Sequence, residues 1–247
     1  MNTRIFLAFL ISACCTAESL QAQAFCALRD PVEQINGLFP STTYASLVGT
    51  VTKSTREAVS EQLPFTLHFN ELGQHTLYAV NGEDGHVGYV HVRPELGKWG
   101  LTEIAWAIDK ELRIVDFSFQ RCRNRRRTIL EQDAFKSQII GKNINELRAL
   151  INEQGTAINV DNLKVDAIDR EFALIVVKCA MKTLVVTSAV WEEEVKSAAS
   201  SSDSSNLDSL NRSEVTEIYT PSVNELLEKN ALKDAVDIDR KTVRLFF

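Results

Sequence analysis

The chain is short of the residues that break or staple a backbone. Ten glycines and five prolines among 247 residues lie well below ordinary usage and exclude a collagen-like or low-complexity chain. No Cys-x-x-Cys or Cys-x-x-Cys-His occurs, which argues against thioredoxin-like chemistry and covalent haem. Gly-x-Ser-x-Gly, the phosphate-binding P-loop and the dinucleotide glycine fingerprint are absent as well, so no standard catalytic constellation announces an enzyme. Positive charge is also in the minority, with 27 Lys and Arg against 33 Asp and Glu. An acidic chain is not a general binder of nucleic acid, and any anion site must come from a local patch.

What is present begins with an export signal. Arg4 supplies a positive n-region, Ile5 to Ile11 a short apolar run, and Ala22-Gln23-Ala24 a small-x-small cleavage site, which together read as a signal peptide over residues 1–24. A second exit lies inside it: Ile11-Ser12-Ala13-Cys14 fits a lipobox, whose cysteine would be acylated and tether the protein to the membrane. Both exits place the working protein outside the cytoplasm, in a periplasm-like compartment. Cleavage after Ala24 leaves Cys26, Cys122 and Cys179 and a charge of −6, from 26 basic and 32 acidic residues. An oxidising compartment permits a disulfide; Cys26 and Cys122 are its candidates, with free thiols as the alternative, while Cys179 lies in an apolar run and reads as core.

The one break in composition is the serine-rich stretch at 197–206, a linker by its small polar residues. It divides a main domain at 25–196 from a C-terminal appendage at 207–247. In the appendage, Ser222–Val236 carries an amphipathic pattern (Leu226, Leu227, Leu232) and Leu245-Phe246-Phe247 is apolar. In the main domain, Asp30-Pro31-Val32-Glu33 predicts a helix start, and Ser54 with Glu57 a capping box before a helix that stops ahead of Pro64. Strands are expected over Phe65–Asn70, Thr76–Val80, Val87–Arg93, Leu101–Ile108 and Leu112–Gln120, with a hairpin signal at Asp84-Gly85. A helix is expected from Glu131 to about Ile140. Another, capped by Asn143 and Glu146, carries a stripe of Leu147, Leu150 and Ile151 and ends at Gly155. The sum is an α+β domain, an antiparallel sheet flanked by helices.

Ala173–Trp191 is apolar enough to raise the question of a membrane span. Its Leu, Ile and Val residues would gain about 2–5 kcal/mol on insertion, whereas Lys178 and Lys182 would cost about 5–7 kcal/mol together. The cost exceeds the gain, so the segment reads as a buried core helix with a lysine edge, and no transmembrane helix is expected in the mature chain.

Arg121, Arg123, Arg125, Arg126 and Arg127 put five guanidiniums in seven residues. Such mutual repulsion is compensated by an anion: a cofactor phosphate, a lipid headgroup or a partner's acidic surface, since the guanidinium fork matches phosphate and carboxylate. The plainer reading is a solvated loop paired with Glu131 and Asp133. His68, His75, His86 and His91 all fall in the sheet region without the spacing of a metal motif and read as strand-face or hydrogen-bonded histidines. Trp106 alternates in phase with Ile104 and Ile108 and reads as core, whereas Trp99, between Gly97 and Gly100, is the candidate for an exposed ring that stacks on a flat ligand.

The order Val87-Gly88-Tyr89-Val90, a glycine-bearing loop, Glu103 to Asp109, Leu112 to Phe117, a helix with Phe135, Gly141-Lys142 and Val165-Asp166-Ala167-Ile168 before a long helix resembles the FMN-binding domain of periplasmic flavin subunits in Rnf and sodium-pumping NADH:quinone oxidoreductase complexes, over residues 76–190. The resemblance implies FMN, electron transfer at a membrane complex and an exported α+β domain. In flavinylated members a threonine carries the flavin; here that position falls on Phe172, or on Val185 in a second register, and neither has a hydroxyl. The family's Glu-Thr-Pro-Gly stretch is replaced by the arginine run. The expectation is therefore a noncovalent site for FMN or another phosphate-bearing ligand, contacted by Arg121, Arg123, Arg125, Lys142 and Trp99. The alternative is a degenerate, non-redox binding or assembly module.

Overall fold

A computed structural model describes residues 31–200 of the protein. The expected signal segment with Cys14, together with Cys26, Asp30 and residues 201–247, lies outside them. Two helices and a first strand open the fold: α1 (Val32–Leu38), β1 (Thr43–Val51) and α2 (Lys53–Gln62). A 3-10 turn at Phe69–Glu71 leads into β2 (Gly73–Gly82), β3 (Gly85–Gly97), β4 (Gly100–Ile108) and β5 (Ile114–Arg121). Three short helices follow, α3 (Arg127–Leu130), α4 (Asp133–Lys136) and α5 (Ile144–Arg148). A 3-10 turn at Ala167–Asp169 then feeds the long α6 (Arg170–Val190), and α7 (Glu192–Ser200) closes the described chain.

All five strands pair antiparallel with their sequence neighbours, in the order β1-β2-β3-β4-β5, so the α+β reading holds. The period-2 alternation splits the apolar side chains between two faces. Leu77, Tyr89, Ile104, Trp106, Ile108 and Phe117 turn to the main core, where α6 supplies Val176, Val177, Ala180, Met181 and Val186. Val80, Val90, Val92 and Ala105 form a smaller cluster with Ile35 of α1 on the opposite face. Trp106 is core, as expected, and its Nε1–H donates to Cys179 Sγ at 3.3 Å.

Several sequence expectations shift. Phe65–Asn70 is not a strand: the His68 N–H donates to Glu71 Oε2 (2.6 Å) and the Asn70 N–H to His68 Nδ1 (3.2 Å), local bonds that capture the backbone groups a ladder would need. Its place in the sheet is taken by β1, an edge strand half-exposed along its length and rich in β-branched residues. The cap of α2 is Thr52 with Thr55, each side chain accepting from the other's backbone N–H, rather than Ser54 with Glu57. The Glu131–Ile140 helix shrinks to α4, which starts only after Gln132 takes an extended conformation, while the separate turn α3 precedes Glu131. Asn143 and Glu146 do form a reciprocal capping box. That helix stops at Arg148, and Ile151 instead bridges Ile158. Finally, α7 runs to Ser200, four residues into the serine-rich stretch, because buried Val195 and half-buried Ala198 pack it on the core.

Gly49 shows how closely β1 meets the end of α6. A Cβ there would lie 2.4 Å from Val190 Cγ1 and 2.8 Å from the Trp191 ring. Gly49→Ala is accordingly expected to lower unfolding stability by about 1–3 kcal/mol, read as a lower denaturant midpoint at unchanged slope.

Candidate functional site

Two polar constellations lie at the interface of α6 with the sheet, and they differ in access to solvent. The first is buried. Lys182, four residues along α6 from Lys178, reaches Glu71 Oε2 at 3.1 Å and both Glu95 oxygens at 2.5 and 3.0 Å. Arg93 on β3 donates from Nη2 to Glu71 Oε1 at 2.8 Å. His75 donates from Nε2 to the Glu71 carbonyl oxygen (2.9 Å), and His91 Nδ1 meets Thr187 Oγ1 (2.9 Å). The lysine edge of the sequence reading is therefore half right: Lys178 is half-buried over the Phe65 ring, whereas Lys182 is fully enclosed.

Burial works to raise the Glu71 pKa, but Arg93 and Lys182 beside it hold the carboxyl below its ordinary range. Burial pushes Glu95 up, with Lys182 only partly offsetting it. Lys182 would be lowered by burial, yet Glu95 and Glu71 more than compensate and raise it. His75 is pushed down to about 4 by burial and by the Arg93 charge, and His91 well below its usual value for the same two reasons. Both histidines are neutral core groups, and among the described residues no cluster of His, Cys, Asp and Glu could hold a metal. This constellation joins helix to sheet.

The second constellation opens to solvent. A cleft of about 520 Å³ is walled by the β3–β4 turn (Gly97, Lys98, Trp99), the arginine loop (Arg123 to Arg126) and the entry to α6 (Ile168 to Ile175). Arg126 forms a two-pronged fork on Asp169, Nε to Oδ1 at 2.6 Å and Nη2 to Oδ2 at 2.5 Å, and the Arg126 hydrogen bonds hold Asp169 below the usual carboxylate range. That fork ties the loop to the start of α6. Arg123 and Arg125 are exposed beside it, and Trp99 is 60% exposed. Phe172 lines the wall and stacks on Phe119 with ring centroids 5.5 Å apart.

Of the five expected contact residues, Arg123, Arg125 and Trp99 converge on this cleft. Lys142 does not: its carbonyl oxygen accepts from the Ile114 N–H, at the opposite end of β5, roughly 25 Å away by strand length. Arg121 is also outside the lining, being the last residue of β5 and half-buried opposite Glu103. The arginine loop pairs with Asp169 rather than with Glu131 or Asp133. Cys122 is a free, half-buried thiol whose Sγ lies 3.8 Å from Thr102 Oγ1. Val165-Asp166-Ala167-Ile168 is loop and 3-10 turn leading into α6. Lys98, Ile168 and Ile175 were not anticipated, and neither was the partnership of Arg126 with Asp169, which are 43 residues apart.

No family model, curated protein or solved structure matches the chain.

The buried constellation makes two predictions. Lys182→Ala leaves Glu71 and Glu95 without their shared cation and is expected to cost about 3–5 kcal/mol of stability, measured by urea unfolding at pH 7. Between about pH 6.5 and 4 the unfolded chain takes up a proton at His75 that the folded chain does not. Stability therefore falls as pH falls through that window, by roughly 3 kcal/mol for this residue. His91 acts in the same direction; Glu95, raised in the fold, opposes it because its burial cost is relieved on protonation. The urea midpoint should drop on acidification from pH 7 to 4.5, and the drop should be shallower in His75→Gln.

Proposed function

We propose that the protein is an exported binding module whose cleft takes FMN, or another planar ligand bearing phosphate, without a covalent bond, and that it serves electron transfer at the membrane. The observation that carries the reading is the convergence of exposed Arg123 and Arg125 with exposed Trp99 on one cleft. The guanidiniums suit a phosphate and the indole suits a flat ring. The volume falls in the range of small-molecule sites. A further support is that Phe172, where the flavin-carrying threonine would stand in the family the sequence resembles, lines this same cleft. Val185, the position in the second register, is buried in the core. With Phe172 in place retention depends on noncovalent contacts alone: Arg123 and Arg125 supply charge, Arg126 and Asp169 hold the loop, and Phe172 with Ile175 supply an apolar wall.

A non-redox binding or assembly module is the second reading, favoured by the absence of a hydroxyl at Phe172. A visible absorption spectrum of the protein purified after export separates the two, since a bound flavin is yellow and a non-redox ligand is not.

Titration with FMN provides the direct test. Trp106 and Trp191 are buried and Trp99 is exposed, so quenching of tryptophan emission by FMN is expected to be largely lost in Trp99→Phe. Saturation at a hundred times the dissociation constant should stabilise the fold by about 2.7 kcal/mol, a rise of roughly 5–10 °C in Tm for a domain of this size. Arg123→Ala with Arg125→Ala should weaken binding at least tenfold, at about 1.5–3 kcal/mol per charge-assisted bond. Colourless protein that neither quenches nor gains stability with FMN would falsify the flavin reading.

A further inference from the structure

The rim of the cleft carries apolar side chains with no cover among the described residues. Ile168 at the entry to α6 is 75% exposed, and Leu96 and Trp99 at the β3–β4 hairpin tip are 70% and 60% exposed. Leu96 stands opposite Leu101 across the hairpin. The arginine loop leaves the sheet beside this tip, because the end of β5 pairs with the start of β4 at Glu103 and Arg121. One end of the sheet thus gathers an exposed leucine, tryptophan and isoleucine around Lys98, Arg123 and Arg125.

The charge at this end opposes that of the whole chain. The cleft is lined by four cations and two carboxylates, a local +2 on a protein whose formal charge is −6. One of the two carboxylates, Asp169, is consumed by Arg126. Glu171, with Asp166 outside the lining, is the exposed acidity nearby. A soluble protein rarely leaves several large apolar side chains uncovered in one place unless something binds there. Tryptophan and leucine projecting among basic residues are the chemistry of the membrane–water interface, where the indole sits at headgroup depth and the cations meet lipid phosphates.

We propose that this end of the protein docks on a bilayer containing anionic phospholipid, with Leu96, Trp99 and Ile168 entering the interfacial layer and Lys98, Arg123 and Arg125 engaging lipid phosphates. The inference shares the anion-binding character of the cleft with the reading above and is independent of which soluble ligand the cleft takes. Docking in this pose brings the cleft mouth to the membrane, where a bound redox ligand would meet a membrane-embedded donor or acceptor. The net negative charge of the remaining surface is repelled by the same bilayer and favours this orientation over others.

The test uses the exported full-length chain carrying Cys14→Ser, so that no acyl chain can anchor it. Vesicles of phosphatidylcholine with about one third phosphatidylglycerol are compared with pure phosphatidylcholine at low salt. Sedimentation with the anionic vesicles alone is expected, accompanied by a blue shift of Trp99 emission and weakened by about 0.5 M salt. Leu96→Ser should lower partition about fivefold while leaving FMN affinity unchanged, because Leu96 does not line the cleft. Arg123→Ala with Arg125→Ala should lower it by roughly tenfold or more, at about fivefold per basic residue. Unchanged Tm values show that these surface variants fold.

Three outcomes overturn the proposal: no partition at low salt, equal partition to neutral vesicles, or variants that bind as the parent does. Capture of a protein that shields Trp99, with no vesicle binding, also sinks it in favour of a protein partner. Vesicle binding without FMN binding leaves this inference standing and removes the flavin; FMN binding without vesicle binding does the reverse.

Discussion

The fold turns on Lys182. A 21-residue helix as apolar as α6 can slide or rotate against an apolar sheet at little cost, because one hydrophobic contact is much like the next. Lys182 removes that freedom. An ammonium enclosed in the core must find carboxylates, and only one axial and rotational setting of α6 presents it to both Glu71 and Glu95. Such a network adds little net stability over a well-packed apolar alternative. Its contribution here is register, with Arg93 locking Glu71 from the sheet side. The setting fixed near the middle of α6 also fixes its first turns, and these carry Asp169, Phe172 and Ile175 into the cleft wall.

This constraint explains features that look unrelated. Glu71 must be held beneath α6, so the segment before β2 closes into a 3-10 turn with its own side-chain bonds and is unavailable as a strand. Glu95 meets Lys182 beyond His91, where the pairing of β3 with β2 ends, and β3 runs on to Gly97 so that its turn projects past the neighbouring strands. The protruding turn is what presents Lys98 and Trp99. Its close approach to α6 is visible at Gly97, where a Cβ would lie 3.2 Å from Ile175 Cδ1.

The α+β class and four of the five strands were legible because their alternation is regular and each of the four buries side chains in the main core. The buried nature of α6 was legible from the cost of its two lysines in lipid. The edge strand β1 escaped notice because half-exposed positions blur alternation, although its Thr and Val content carried the signal. The arginine loop and Trp99 could be singled out by composition and by flanking glycines. Their convergence could not, since it depends on the protrusion of β3 and on Asp169, which arrives from 43 residues away. Lys142 falls outside the cleft for the complementary reason: proximity in the order of elements says nothing about which end of an eight-residue strand a loop joins.

The arginines divide into two kinds, and the division decides what the cleft can do. Arg126 is neutralised by a buried carboxylate in a two-point fork, which sets the backbone of its loop and leaves little charge for a ligand. Arg123 and Arg125 have no such partner among the hydrogen bonds and ion pairs of the described residues, and they project from a loop whose base is clamped. A clamped base with free tips lowers the entropy lost when an anion is gripped, without the desolvation cost that a fully buried guanidinium imposes. The opposite wall is Phe172 stacked on Phe119, which offers neither a nucleophile nor a charge. A cleft so built offers charge to an anion and an apolar face to a flat ring, and it is on these two features that the proposed ligand rests.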